Sequence, residues 1–429
     1  MDDAGAQNHT RPCVFSSPRG PGMRNLATLL TITMVAACAA ERPVEITLEP
    51  AAEIASPAGP ASGEPFLAVA PDGDLLMSWI QRVDSAHELR FARYEDGAWS
   101  APRTIARSSL FFVNWADFPS IIGLPDSRLA AHWLGRSGPG RYSYDVWVAF
   151  SSDDGTTWSE PERPHNDGTE SEHGFVSLFP WQNQLGAIWL DGRKYAEAEQ
   201  NPEALREMTV QFALLDGKTR ATESLVDGRA CDCCQTDVAI AESGPVLVYR
   251  DRSNDEIRDI AVSRFIDNTW TQPVPVYNDG WNINACPVNG PAIAARGPNV
   301  AVAWFTGAQD SARVNLAFSN DAAASFQPPI RIDSGDPIGR VDVMLLDDET
   351  AVVSWLERQD NTTRILARTA RPGQSAGPIA SIGDSSAERA SGFPRLAQSG
   401  DRVVFAWTQP GTASSPATIR IVSTRLARN

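Results

Sequence analysis

The chain has 429 residues, 42% hydrophobic, 21% charged and 8% aromatic, with 31 Gly and 31 Pro. That is too apolar for a disordered chain, and long enough for two or three average domains or one large repeat fold. Its 37 basic residues face 53 acidic ones, a net charge of −16, which argues against a nucleic-acid partner. The 13 Trp and the scarcity of long amphipathic stretches point to β structure.

Residues 1–37 read as a signal region. Met23 is a second start, followed by Arg24 and an apolar run from Leu26 to Ala37. The run is too short to span a bilayer and fits the core of a secretory signal. It ends in Val35-Ala36-Ala37-Cys38, which resembles the bacterial lipobox. That resemblance implies diacylation of Cys38 and a lipid anchor in the bacterial cell envelope; an ordinary signal peptide cleaved near Ala40 is the alternative. Residues 38–63 form an anchored N-terminal segment, and residues 64–429 a repeat domain.

The repeat is a short apolar strand ending in an aromatic, at Trp79, Trp133, Trp189, Tyr249, Trp304, Trp355 and Trp407, with spacings of 54, 56, 60, 55, 51 and 52. Another apolar strand precedes each aromatic, several opened by Pro (Pro65, Pro119, Pro291, Pro394). An alternating strand follows, such as Val146 to Phe150, and then a Pro-marked fourth strand such as Pro273 to Val276. Four antiparallel strands at a fixed period describe propeller blades, which bury their faces by stacking around a ring. Seven aromatics predict a seven-bladed β-propeller, with six blades as the alternative count. The last unit lacks a fourth strand, and Pro43-Val44-Glu45-Ile46 carries that pattern. This N-terminal strand is expected to close the ring, and Ala51 to Gly63 to be linker.

Ser151-Ser152-Asp153-Asp154-Gly155-Thr156-Thr157-Trp158 matches the Asp-box, and Ser319 to Phe326 is a degenerate copy. Asp153 can accept turn N–H groups, Gly155 suits a positive φ, and Ser151 and Trp158 complete the motif. On these residues the chain resembles the sialidase-like (Asp-box, or BNR-repeat) propellers over residues 43–429. The resemblance implies a site on the opposite face, formed by the loops before first strands and after second strands. It further implies three Arg gripping a carboxylate, a Tyr–Glu nucleophile and an Asp acid/base. Where the family has Arg-Ile-Pro, this chain has Gly63-Glu64-Pro65-Phe66. An acid there repels an anionic sugar, so ordinary sialidase catalysis is not expected.

The face so defined is rich in charge. Asp117, His173 and Cys233 each stand 16 residues before their blade's aromatic, a shared register that predicts one mouth. Candidate ligand-binding residues are His173, Arg193, Arg250, Arg252, Arg340 and Asp342. Candidate catalytic carboxylates are Asp117, Asp191, Asp251 and Glu357, with Asp342. Tyr195 to Met208 reads as a short inserted helix on the same face. Cys231, Cys233, Cys234 and Cys286 form a cluster. In an exported protein it suits a disulfide from Cys233 or Cys234 to Cys286, closing a loop of about 50 residues for roughly 4 kcal/mol; a thiolate metal site reaching toward His173 is the alternative, and no other cofactor is expected. The expected function is an exported, membrane-anchored propeller binding a glycan or peptide at this face. The alternatives are a glycoside hydrolase using paired carboxylates and a metal- or thiol-linked assembly or redox factor.

Overall fold

The computed structural model describes residues 46–218 and 222–428. The signal region and Cys38 lie outside the described residues. Seven antiparallel sheets follow one another along the chain, each one blade. In each, an apolar second strand such as Leu75–Val83, Gln184–Asp191 or Ala351–Gln359 lies between its neighbours. These strands are near-continuous hydrophobic runs because both faces are covered. Their terminal aromatics seal the joints: Trp79, Trp189, Trp304, Trp355 and Trp407 are fully buried.

Seven hydrophobic clusters each fill a joint between neighbouring blades, such as Met77 and Trp79 against Val404 and Ile419, or Val352 and Leu356 against Phe405 and Trp407; the cluster between blades three and four also takes in Ala116 and Phe393. The protein is a seven-bladed β-propeller. In blade two the fourth strand is reduced to a bridge between Val148 and Glu162.

The ring closes as expected, by an N-terminal strand. Ile46–Leu48 pairs with the last strand, Thr418–Arg428, with Ile46 opposite Arg428. The expected linker is partly strand too: Ala52–Ile54 joins the same partner, with Ala52 opposite Ser423. Pro50 falls between the two pieces, where a residue with no N–H to donate breaks the ladder.

Blades are also stapled by polar bonds. In blades one, three and six the first strand bulges at Glu64, Phe175 and Arg340, all at φ 53°. Such a left-handed conformation costs a non-glycine residue about 1 kcal/mol or more. It turns the bulge N–H to a side chain of the preceding blade: Glu64 N–H donates to Thr408 (3.0 Å), Phe175 N–H to Asp117 (2.7 Å) and Arg340 N–H to Asn289 (2.7 Å).

The Ser151–Trp158 turn lies on the opposite face. Thr157 N–H donates to Asp153 (2.9 Å), Gly155 N–H donates to the Ser151 hydroxyl (2.8 Å), and Gly155 has φ 75°. Trp158 meets Phe91 of blade one edge-on, ring centroids 6.0 Å apart. The Ser319 turn repeats the bonds, with Ser325 N–H donating to Asp321 (2.9 Å).

Candidate functional site

The loops of the charged face gather around a pocket of about 340 Å3 between blades two, three and four. Its walls are Arg141 and Tyr142 from blade two's second-to-third loop, Glu170 and Glu172 from the crossing into blade three, and Tyr195 and Glu199 from a helix, Arg193–Gln200. Asp232, beside the Cys cluster, completes it. The helix is shorter than the expected Tyr195–Met208: Asn201 is extended, as a residue before Pro202 tends to be, and Met208 already opens a strand. Tyr195 donates to Asp232 across the floor at 2.5 Å. Tyr142 is 50% exposed, an aromatic surface held out to solvent.

Behind Glu172 lies a buried acid pair. The single hydroxyl of Tyr144 sits 2.7 Å from Glu172 and 2.9 Å from Asp117. A phenol donates one hydrogen, so both contacts are hydrogen bonds only when one carboxyl keeps its proton. Burial is the main cause that pushes Glu172 up to about 8, reinforced by the charges of Asp117 and Asp232 and opposed by the Tyr144 bond. Burial likewise takes Asp117 to about 7 against the bonds from Phe175 N–H and Tyr144. Burial and the two acids hold the Tyr144 phenol well above its ordinary value. Glu64, where a sialidase-like Arg is absent, is raised to about 7 by burial.

A second cluster joins blades two and three. His165 and His173 stack with ring centroids 3.8 Å apart and planes 5° from parallel. Asp167 lies 3.1 Å from His173 and 3.4 Å from His165; Asp145 lies 3.5 and 3.9 Å from the same rings. Burial lowers His165. At His173 burial acts the same way, but Asp167, Asp191 and Asp145 outweigh it and raise the imidazole. Asp145, His165 and His173, and separately Asp167, His173 and Asp191, bring ligand atoms within 4.8 Å of one another. His173 is common to both groups, and its ring lies 3.5 Å from Asp145, 3.1 Å from Asp167 and 3.7 Å from Asp191, joining blades two and three.

The other sequence candidates are placed as follows. Arg193 forks onto Asp191 (2.8 and 2.6 Å), which also accepts the Trp189 indole N–H (2.9 Å). Glu357 accepts the Trp355 indole in the same way (2.7 Å). Both carboxylates therefore serve buried Trp side chains two residues upstream. Arg250, 1% exposed, gives its guanidinium to the carbonyls of Asn289 (2.9 Å), Arg258 (2.6 Å) and Phe305 (2.7 Å) and lies over Trp281. Arg340 bonds Ser391 and the carbonyls of Gly392 and Glu388. Neither guanidinium is offered to a ligand. Asp342 is buried, accepts Leu396 N–H (2.8 Å) and faces Arg395 (3.2 Å), stapling blades six and seven. Arg252 forks onto Glu256 and reaches Asp232 (3.4 Å) at the pocket edge. Asp251, raised to about 6 by burial, bonds Arg252 N–H (2.7 Å). Asp117 and His173 do converge, through the Tyr144 hydroxyl and carbonyl.

Cys233 and Cys286 face each other with Cα atoms 6.1 Å apart, a span that suits a disulfide. Cys231 and Cys234 are buried and free. Burial pushes the Cys231 thiol up, but bonds from Cys234 and Cys233 N–H and the charges of Arg250 and Arg258 bring it to about 7; burial and Cys231 drive Cys234 well up.

Fold and site together define a β-propeller with a loop-lined pocket on the face opposite the Ser151 turn. No family model matches the chain, and no curated protein matches it by sequence. Among solved structures it is similar to a protein of unknown function from Dyadobacter fermentans DSM 18053, with TM-score 0.53 and 13% identity, covering 89% of this chain and 99% of that one. It is more distantly similar to the Hadza microbial sialidase Hz136 (TM-score 0.44, 17% identity, 73% of this chain and 66% of that one). A mutant of NanB sialidase from Streptococcus pneumoniae stands at TM-score 0.46 and 10% identity, over 87% of this chain and 71% of that one. At these identities the likeness is one of fold.

Proposed function

We propose that this propeller binds a neutral or amine-bearing glycan in the pocket between blades two, three and four. The observation that carries the reading is the lining: an exposed Tyr142 ring beside the carboxylates of Glu170, Glu199 and Asp232 and the protonated carboxyl of Glu172, against one cation, Arg141. An aromatic face packs on the apolar side of a sugar ring, and carboxylates accept its hydroxyl or ammonium hydrogens. The excess of acids disfavours sialic or uronic acids by like-charge repulsion. A glycan array of neutral, amino and acidic sugars, repeated with Tyr142→Ala and Glu170→Gln, tests it. Binding should be confined to the first two classes and lost in both variants; binding only of peptides, or binding indifferent to both variants, would overturn it.

A second reading, glycoside hydrolysis, draws support from the acid pair. Glu172 faces the pocket and keeps a proton near neutral pH, as a general acid must, and Tyr144 links it to Asp117 as a proton store. Turnover of neutral aryl glycosides that disappears in Glu172→Gln would favour it over binding alone.

The protein is further proposed to be exported and anchored through a lipid on Cys38, as an Asp-box propeller of the sialidase-like kind with a Cys233–Cys286 disulfide. The support is the Val35–Cys38 sequence, the Ser151 turn and the facing cysteines. Radiolabelled palmitate should enter the wild type and not Cys38→Ala.

A further inference from the structure

We propose that Cys231 and Cys234 form a buried two-thiolate site for a soft monovalent cation, copper(I). The inference goes beyond glycan binding and takes the Cys233–Cys286 disulfide as closed. The side chains of Cys231 and Cys234 are 0% and 1% exposed, and their sulfurs lie within 4.8 Å of each other. That separation lets one ion reach both. Thiolates select soft cations, and copper(I) accepts two sulfur ligands in a line. Zinc needs four ligands; with Cys233 bonded to Cys286, only two of the cluster's four sulfurs are free to bind.

The surrounding charge asks for an anionic sulfur centre. Arg258, 3% exposed, donates from Nη1 to Cys231 Sγ at 3.5 Å, while its Nε has no hydrogen-bond partner. Arg250 is buried beside them with its guanidinium on main-chain carbonyls alone. Nearby, Glu256 and Asp232 face Arg252 and Arg258, and Asp279 feels the charge of Arg250. A copper(I) ion between two thiolates carries one negative charge, which Arg258 and Arg250 favour. A neutral Cys231–Cys234 disulfide would lose that attraction and leave Arg258 Nη1 facing an uncharged sulfur. Binding forms two Cu–S bonds and releases to solvent whatever thiol protons remain; the metal stays Cu(I), and no redox partner is needed.

The test uses the full chain carrying Cys13→Ser and Cys38→Ser with its Cys233–Cys286 bond intact, titrated anaerobically with copper(I) against a chromophoric competitor. One ion per chain should bind, with a near-ultraviolet sulfur-to-metal absorption that disappears in Cys231→Ser and in Cys234→Ser and survives in Cys286→Ser. Copper uptake unchanged in Cys231→Ser overturns the proposal. So does a denatured chain with no titratable thiols in which mild reduction restores no uptake. Should the Ser variants fail to fold, alkylation mapping of the wild type decides: copper should protect Cys231 and Cys234 together, and protection of neither refutes the site. Loss of glycan binding in Tyr142→Ala with copper uptake intact separates this outcome from that of the pocket.

Discussion

Asp117→Asn removes one charge from the buried acid pair while keeping its shape. In the folded protein the Asp117 carboxyl is raised from 3.8 to about 7. A group held above its unfolded value adds stability that is complete below the unfolded value and lost as pH rises through the folded one. The window for Asp117 therefore runs from about pH 4 to about pH 7. It is just over three pH units wide, which at about 1.4 kcal/mol per unit gives about 4 kcal/mol. Asn can still accept the Phe175 N–H and can donate to the Tyr144 oxygen, freeing the phenol hydrogen for Glu172. The variant should lack this slope, so urea-unfolding free energies of wild type minus variant should fall by a few kcal/mol between pH 4 and pH 7 and then level. Removing the Asp117 charge should also lower Glu172. Parallel wild-type and variant curves across that window would refute the shared-proton account of this site.

Other outcomes follow from the same geometry. Arg250→Ala strands three buried carbonyls at about 1 kcal/mol or more each and empties the space over Trp281; urea unfolding should show a loss of at least 3 kcal/mol, with glycan affinity of the folded fraction unchanged. For the His173–Asp167–Asp145 cluster the sign matches that of Asp117: His173 is raised, so its stabilisation is complete below its unfolded value near 6.5 and fades as pH rises through the folded one. A His173→Gln variant should lack that fall, read by thermal melts from pH 6 to pH 9. Gly155→Ala should lower stability by well over 1 kcal/mol in urea melts, because a Cβ there meets the Phe91 ring at 2.2 Å and φ is 75°.

The ring was readable from the sequence because its signal is local and repeated. Each second strand buries both faces, so its aromatic recurs once per blade whatever the loops do. The Ser151 turn was readable for a related reason, since its bonds fall within a few residues. The acid pair was not. Tyr144 looks like any buried strand residue, and its hydroxyl gains meaning only when the ring brings Asp117 and Glu172 to either side of it. The charged loops misled in the other direction: Arg250 ends a strand rather than a loop, and once buried its guanidinium satisfied carbonyls. Asp191 and Glu357 carried a signal that a period-two reading exposes, an acceptor two residues after a Trp whose indole needs one.

The pairing of Ile46 with Arg428 sets the order in which the ring can assemble. Six sheets draw on neighbouring stretches of chain and can form early. The seventh must wait, its early piece idle, until the strand Thr418–Arg428 is in place, and until then the folding protein is an open arc with two bare apolar flanks. Those flanks are where a chaperone would be expected to sit, and where a prematurely ended chain would stick to its copies.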